Sequence, residues 1–452
     1  MEAFIRSVDQ WVWGPPMLAA FLMIGLFYSV KLRFFPIRYV RIWWKETAGS
    51  LLRKKGTSLP SDGLSSFQAL SMALGGAIGT GNIVGVAGAL ALGGPGALLW
   101  MWVAAGLGMS TIMAETVLGC RFRRKVRGQF AGGPMYYLED GLGFRPGAIV
   151  FAVCCVLASL GMGNLTQVNS AAQALWIGFG IPFSVSGVVL AVVTGLIVCG
   201  GIRQIAFLAE KAIPLMAIAF TVVCIAVIAV NFRNIPGAFR AIAAGAFGWQ
   251  PAAGGFAGYG LSRAVKYGVS RGVFSNEAGL GSAPMVYSCS QDGEEPFRAA
   301  FWGIFQVFLD TIVLCTLMAL AILTSGCDYT LENGVDVCSQ AFSGCFGEGG
   351  RVLICSAIVL FSFATVISWC YYGEAGWGYL FGEKTSPLPF RLVYAAAVYI
   401  GCTMSCSLVW EASDAINGLM AVPNLIALVF LSRQVRYSDL KKLLPERRPH
   451  LD

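Results

Sequence analysis

The sequence predicts an all-α polytopic membrane protein with eleven transmembrane helices, and three observations lead there. The 452 residues include only 32 basic and 24 acidic side chains, 12% of the chain, about half the roughly 25% usual in soluble proteins. Apolar residues make up 56% and another 56 residues are glycine, too little polar surface to cover a soluble particle of this size. The apolar residues also fall in runs near or above the ~20 residues that a helix needs to cross the hydrocarbon core.

The expected spans lie near 12–30, 66–92, 94–120, 148–172, 183–199, 205–230, 241–262, 298–324, 350–380, 388–408 and 411–431. Glu2 precedes the first run and no small-residue cleavage pattern follows it, so it reads as a retained span rather than a signal sequence. The second is crowded with glycine from Gly75 to Gly85 and is expected to be interrupted, and the seventh carries Gly245, Gly248, Pro251, Gly254, Gly255, Gly258 and Gly260, so it is expected to be either broken or partly loop. The tenth and eleventh are ordinary apolar runs before a basic tail.

Lysine and arginine accumulate in cytoplasmic connections, so their placement sets orientation. Lys31, Arg33, Arg38, Arg41, Lys45, Arg53, Lys54 and Lys55 separate spans one and two, and Arg121, Arg123, Arg124, Lys125, Arg127 and Arg145 separate three and four. With Arg263, Lys266, Arg271 and Arg298, the pairs Arg203/Lys211 and Lys384/Arg391, and the tail, 28 basic residues are expected inside, leaving Arg6, Arg233, Arg240 and Arg351 outside. An odd number of spans then puts the N-terminus outside and the C-terminus in the cytoplasm. This periodic placement between apolar runs accounts for the net charge of +8 without a nucleic-acid partner.

Most of the 14 cysteines sit inside apolar runs as small hydrophobes. Cys327, Cys338 and Cys345 fall in the expected exterior segment 325–349, where one disulfide is open to them. The one histidine, His450, lies in the tail, and no CxxC or Cys/His ligand spacing occurs, which removes zinc and haem sites from consideration.

Gly75-Gly76-Ala77-Ile78-Gly79-Thr80-Gly81-Asn82-Ile83-Val84-Gly85 is the strongest local signal. No βαβ unit surrounds it, so it is not a dinucleotide loop. Small residues serve close helix packing, but this glycine density followed by Thr-Gly-Asn favours an unwound helix centre. Unwinding exposes carbonyls that coordinate a cation and amides that hold a carboxylate. Span four adds Asn164 and Gln167 at helical spacing, and span nine aligns Ser362, Thr365 and Trp369 on one face. Hydroxyl oxygens suit a small hard cation, while an indole can close over a small organic ligand. Glu115, Glu210, Asp310, Glu374, Glu411 and Asp414 are ionisable residues within apolar runs, expensive unless paired or wet; Glu115 and Asp310 are the deepest by position.

No nucleophile and base form a catalytic set, and His450 cannot serve a buried triad, so an enzyme is not expected. A channel also uses polar backbone inside a membrane and remains an alternative. Spans two and seven are offset by five, an odd number, which predicts two inverted five-helix repeats after one N-terminal helix, as alternating access around a midplane site requires.

Gly75 to Gly85, continuing through Gly93-Gly94-Pro95-Gly96-Ala97 and Trp100-Met101-Trp102, closely resembles the alanine or glycine:cation symporter family. Gly132-Gly133-Pro134-Met135-Tyr136-Tyr137 and Arg271-Gly272-Val273-Phe274-Ser275-Asn276-Glu277-Ala278-Gly279-Leu280-Gly281-Ser282-Ala283-Pro284 carry the same resemblance, which runs from about 12 to 435. It implies the inverted-repeat fold of neurotransmitter:sodium symporters in a prokaryotic inner membrane. The implied activity is sodium-coupled or, in some members, proton-coupled uptake of small neutral amino acids, alanine or glycine foremost. By that resemblance Gly79, Thr80, Gly81 and Asn82 embrace the amino-acid headgroup, Gln167 contacts it, Gly254 and Gly255 form a wall, and Thr365 with Trp369 closes the pocket. Sodium, the coupling ion, would use backbone oxygens of Ala77 and Ile78 with the hydroxyls of Thr365 and Ser362. The implied partners are the amino acid, Na+ and membrane lipid, with no required protein partner. The block Arg271 to Pro284 reads as an irregular cytoplasmic connection from its Gly, Ser and Asn content. The expected layout is a peripheral helix in 1–35, a basic loop 36–65, repeats 66–230 and 231–431, and a basic tail 432–452.

Overall fold

The computed structural model describes residues 11–51, 63–126, 128–247, 256–331, 333–382, 385–404 and 406–444. It is a mostly helical bundle whose one described sheet is the small hairpin Arg124–Val126 (β1) with Gln129–Ala131 (β2). The principal helices in chain order are α1 (Pro15–Lys31), α2 (Ser66–Ala77), α3 (Gly81–Gly93), α4 (Ala97–Arg121), α5 (Arg145–Phe179), α6 (Phe183–Cys199), α7 (Gly201–Val230), α8 (Ile235–Phe247), α9 (Phe256–Asn276), α10 (Ala283–Tyr287), α11 (Pro296–Ser325), α12 (Gly334–Phe381), α13 (Leu388–Thr403) and α14 (Cys406–Phe430). Among the described residues six helices are long and apolar enough to cross a membrane, and the bent pair α2 and α3 makes a seventh; α1, α6 and α13 are apolar but shorter.

Local chemistry explains several boundaries. Ser65 and Gln68 form a reciprocal capping box that starts α2. Pro15 and Pro16 sit in the first turn of α1, where a missing N–H costs nothing. Gly347 breaks helical geometry within α12 at φ 58°, separating a short outer helix from the long inner one. α5 contains a wide turn over Gly161–Leu165, which shifts the register of everything after it.

Of the seventh expected span, 241–262, the described residues are helical on both sides, α8 to Phe247 and α9 from Phe256, while Gly254 and Gly255 lie outside the described residues. The second backbone break falls at 277–282, between α9 and α10, and Ser275, Asn276, Glu277, Leu280 and Ser282 are all buried. The expected irregular connection is irregular, but it runs through the core of the bundle, and Arg271 to Asn276 are helical. Its location is fixed by positive φ at Glu277 (60°), Gly279 (96°) and Gly281 (83°) and by buried acceptors waiting for its amides.

Hydrogen bonds sort the connections into two ends. Arg121 pairs with Asp439 at 2.7 Å, Arg123 donates to the carbonyls of Ser288 and Ser290, Arg391 donates to Cys199 O, and Leu64 bridges Ser290. These gather the basic connections at one end, where the hydrogen bond from Arg121 holds the Asp439 carboxyl below the usual carboxylate range. At the other end Asn234 donates to Thr324 O, Asn169 to Met404 O, and Asn231 to Cys345 Sγ. Cys327, Cys338 and Cys345 are all free thiols there, so the disulfide open to them is not formed.

Candidate substrate and cation site

The first break separates α2 from α3, which are bent by 50°. Ile78 leaves helical geometry at φ −78°, ψ 86°, and the amides beyond it turn into the bundle. Gly79 N donates to Ala77 O at 3.0 Å and to Asn82 Oδ1 at 3.2 Å, and Thr80 N donates to Gln167 Oε1 at 3.0 Å. Two side-chain amide oxygens therefore occupy the places at a helix N-terminus that a carboxylate's two oxygens would take. Gln167 is held in turn by donating to Met162 O at 3.0 Å, a carbonyl freed by the wide turn in α5.

On the carbonyl side of the break, α12 supplies the partners. Thr365 Oγ1 lies 2.9 Å from Gly75 O and 3.4 Å from Ile78 O, and Trp369 Nε1 lies 3.2 Å from Gly76 O. Their four-residue spacing puts the hydroxyl and indole one turn apart on the same helix face. Gly75 O, Ile78 O and the Thr365 hydroxyl thus bring uncharged oxygens together, the type of donor that suits a small hard cation, while Ala77 O is taken by the Gly79 amide. Ser362 stands apart: its hydroxyl donates to Ile358 O within its own helix at 2.6 Å.

The glycines divide their work. A Cβ on Gly75 would lie 2.5 Å from Ser368 Oγ, and one on Gly163 would lie 2.3 Å from Trp369 Cβ, so these two let α2 and α5 approach α12. A Cβ on Gly79 would lie 2.4 Å from Thr365 Oγ1 and 2.8 Å from Gln167 Oε1, directly among the polar groups. Gly81 lies against Phe274 and Ser275, which brings the two breaks into contact. Close packing and ligand geometry are both present, at different residues of one run.

Sequence spacing grouped Asn164 with Gln167, but the wide turn parts them: Asn164 Nδ2 reaches Tyr394 O at 2.8 Å on α13. Asn82 faces two ways, accepting from Gly79 N and donating through Nδ2 to Asp310 Oδ1 at 2.7 Å. Asp310 also accepts from the hydroxyls of Ser275 and Thr311, each at 2.8 Å. Spacing gave no reason to single out Ser275 or Glu277 as part of the site, because α9 is too polar to read as a span. Glu277 Oε1 accepts from Trp369 Nε1 at 2.9 Å, and Oε2 accepts from Ser282 Oγ at 2.5 Å.

The other intramembrane ionisable groups have partners. Glu374 takes a bidentate pair from Arg391 at 2.8 and 2.9 Å, Glu210 accepts from Gln68 at 2.9 Å, and Asp414 pairs with Arg271 at 2.9 Å. Glu115 accepts from Gly279 N at 3.1 and 3.2 Å and from Asn424 Nδ2 at 2.5 Å. A cavity of about 1050 Å³ descends from the end opposite the basic connections to Val84 and Gly85, one turn beyond the first break. Gln173, Asn169, Arg271 and Trp410 line it.

The architecture matches known transporters. It is similar to the crystal structure of MhsT in complex with L-phenylalanine, with a TM-score of 0.61 at 14% identity, over 86% of this chain and 94% of that one. In sequence it is 39% identical over 443 residues to the sodium/alanine symporter AgcS of Methanococcus maripaludis, covering 95% of this chain and 94% of the relative. It is equally 39% identical over 439 residues to a Haemophilus influenzae protein named as a transporter, covering 96% and 94%. The family model described as the sodium:alanine symporter family matches residues 1–446. By this match the chain belongs to the sodium:alanine symporter family, a family of multi-pass membrane proteins carrying out sodium-coupled amino-acid symport.

Proposed function

We propose that this protein takes up small neutral amino acids, alanine or glycine foremost, with sodium as the coupling ion, by alternating access around the first break. The observation that carries the reading is the pair of amides at Gly79 and Thr80, capped by the side-chain oxygens of Asn82 and Gln167. A substrate carboxylate would take over both amides, releasing the Gln167 and Asn82 side chains to bind the rest of the headgroup. Gly81 belongs to the same N-terminal turn. The family's sodium coupling assigns the cation to the uncharged oxygens of Ala77, Ile78 and Thr365, with Ser362 at the margin. Trp369, whose indole N–H is engaged by Gly76 O and Glu277, would meet the ligand through its ring rather than its N–H. Gly254 and Gly255 remain a proposed wall on residue type alone.

Cation and carboxylate then bind at opposite poles of one break, and each favours the geometry the other needs. Sodium draws the carbonyls of α2 together, which fixes the direction of the amides that open α3. Binding is therefore coupled reciprocally, and a gradient of sodium drives the zwitterion. The membrane potential adds about 2.3 kcal/mol per elementary charge per 100 mV. No covalent step is involved, and we propose no enzymatic activity.

The reading includes eleven spans: α1; the broken pair α2 and α3; α4, α5, α6 and α7; the broken pair α9 and α10; then α11, the inner part of α12, α13 and α14. Residues 66–230 and 231–431 form inverted repeats after the N-terminal helix in 1–35, with a basic loop at 36–65 and a basic tail at 432–452. Even with Arg263, Lys266 and Arg271 assigned to α9 rather than a loop, the basic connections favour a cytoplasmic C-terminus and an outer N-terminus in a prokaryotic inner membrane, with the large cavity as the outer vestibule.

Reconstituted protein tests the reading. Radiolabelled alanine and glycine should accumulate in liposomes under an inward sodium gradient and not under an equal potassium gradient. Accumulation driven by a pH gradient alone would assign proton coupling instead, and unitary currents independent of amino acid would replace symport with a channel.

A further inference from the structure

Trp369 links the two breaks: its single indole hydrogen faces an acceptor from each. Gly76 O, from the end of α2, lies 3.2 Å away, and the Glu277 carboxylate, the first residue past α9, lies 2.9 Å away. One hydrogen cannot serve two acceptors fully, so any change that improves one contact weakens the other. The indole itself is fixed from behind. It is buried, packs edge-on to Tyr372 with ring centroids 5.2 Å apart, and rests against Gly163 of α5 without room for a methyl group.

Glu277 is set up to respond. It is buried, has no ion-pair partner among the described residues, and holds a left-handed backbone at φ 60°, a conformation unfavourable for a non-glycine residue. Its other oxygen takes the Ser282 hydroxyl at the start of α10, so the carboxylate spans the gap between α9 and α10. Meanwhile Thr365, four residues before Trp369 on the same helix, touches Gly75 O and Ile78 O. The carbonyls proposed for the coupling cation and the Gly76 carbonyl that competes with Glu277 for the indole hydrogen therefore belong to one consecutive run.

We propose that Glu277 is a positioning residue which, through the Trp369 indole, transmits cation occupancy at the first break to the second break. This deepens the proposed function and rests on it. When a cation draws the carbonyls of α2 toward itself, Gly76 O turns from the indole and the hydrogen passes wholly to Glu277. That strengthens the bond holding α9 and α10 to the scaffold helix α12. Without the cation the hydrogen is shared and the second break is held more loosely. Neither residue needs to touch the cation for this to operate.

Alanine affinity of purified full-length protein, measured with sodium and with potassium in Glu277→Ala, Glu277→Gln, Trp369→Phe and the Glu277→Ala/Trp369→Phe double variant, tests the relay. The quantity read is the factor by which sodium raises alanine affinity, which a loss of packing alone would leave in place. Glu277→Ala and Trp369→Phe should each bring that factor to within about twofold of one, and the double variant should lose no more than either single. Glu277→Gln, whose amide oxygen still accepts from the indole, should keep an intermediate factor. A wild-type factor in either Glu277→Ala or Trp369→Phe overturns the relay; if Glu277→Ala does not fold, Trp369→Phe and Glu277→Gln decide. A wild-type protein whose alanine binding ignores sodium would instead sink the functional reading. The relay then has its own readout: sodium alone should shift the indole emission lost in Trp369→Phe, and should shift nothing in Glu277→Gln beyond half that change.

Discussion

The two breaks do the same geometric job with opposite chemistry. At the first, between α2 and α3, every freed backbone group meets a neutral partner: Gln167, Asn82, Thr365 or the Trp369 indole. At the second, between α9 and α10, the freed amide of Gly279 meets both oxygens of Glu115, and Asn424 ties that carboxylate to Gly279 O while accepting from the Tyr137 hydroxyl. Glu115 is held by a backbone amide and a side-chain amide at once, a closed buried network whose members support one another. Neutral partners can be exchanged for a ligand's own groups at small cost; a buried carboxylate cannot let go without being left bare. The first break is built to swap partners, the second to keep them.

That contrast is broken most directly at Glu115. Glu115→Ala strands the Gly279 amide in the bundle interior and removes one of the two acceptors of the Asn424 amide, which keeps Gly279 O; an orphaned buried polar group costs about 1–3 kcal/mol. We expect a loss of about 1–3 kcal/mol, seen as a clear drop in thermal midpoint in detergent, with the surviving folded fraction still binding alanine. Unchanged stability would mean that the second break does not depend on its carboxylate and that the contrast is only geometric.

The next two changes belong to the first break and should show the reverse pattern, a large effect on binding and a small one on stability. Gly79→Ala would place a methyl 2.4 Å from Thr365 Oγ1 and 2.8 Å from Gln167 Oε1, which forces both side chains away from the break. Alanine affinity should fall about 100-fold, some 2.7 kcal/mol, with a thermal midpoint close to wild type because the movable neighbours are side-chain ends. Gln167→Ala leaves the Thr80 amide without its partner but open to a ligand, so the expected loss is nearer tenfold, about 1.4 kcal/mol. Equilibrium binding and melting on the same preparations check both. A variant of this pair that lost stability and kept affinity would erase the distinction between the breaks.

The sequence revealed the first break and hid the second for a physical reason. Gly75 to Gly85 interrupts an apolar run, and interruption is visible only against an apolar background. α9 is not such a run: Arg263, Lys266, Arg271 and Ser275 make it too polar to stand out, so attention fell on the glycines before it. Polar residues are tolerated there because the large cavity reaches Arg271 and Asp414 pairs with it. Helical spacing suffices to place Thr365 and Trp369 on one face, and both reach carbonyls of the first break. Asn164 was misgrouped because one extra residue in the wide turn of α5 rotates it to α13. Glu277 was hidden by its motif, since nothing in Asn276-Glu277-Ala278-Gly279 announces a buried carboxylate until the backbone turns inward.

Ser362 gives the finest test of the contrast, because spacing places it with Thr365 while the structure separates their hydroxyls. Thr365 reaches across to the carbonyls of α2, but Ser362 donates to Ile358 O one turn back in its own helix, a local bond that serves α12 alone. A cation at Ala77, Ile78 and Thr365 would recruit Ser362 only through its lone pairs and without breaking that bond. Thr365→Val, which removes the hydroxyl and keeps the shape, should therefore weaken sodium activation of alanine uptake strongly, whereas Ser362→Ala should change the half-saturating sodium concentration by no more than about threefold, under ~0.7 kcal/mol. If the two variants lose sodium activation equally, the hydroxyls act as a pair at the cation and the oxygen locus extends a full turn further along α12 than the hydrogen bonds place it.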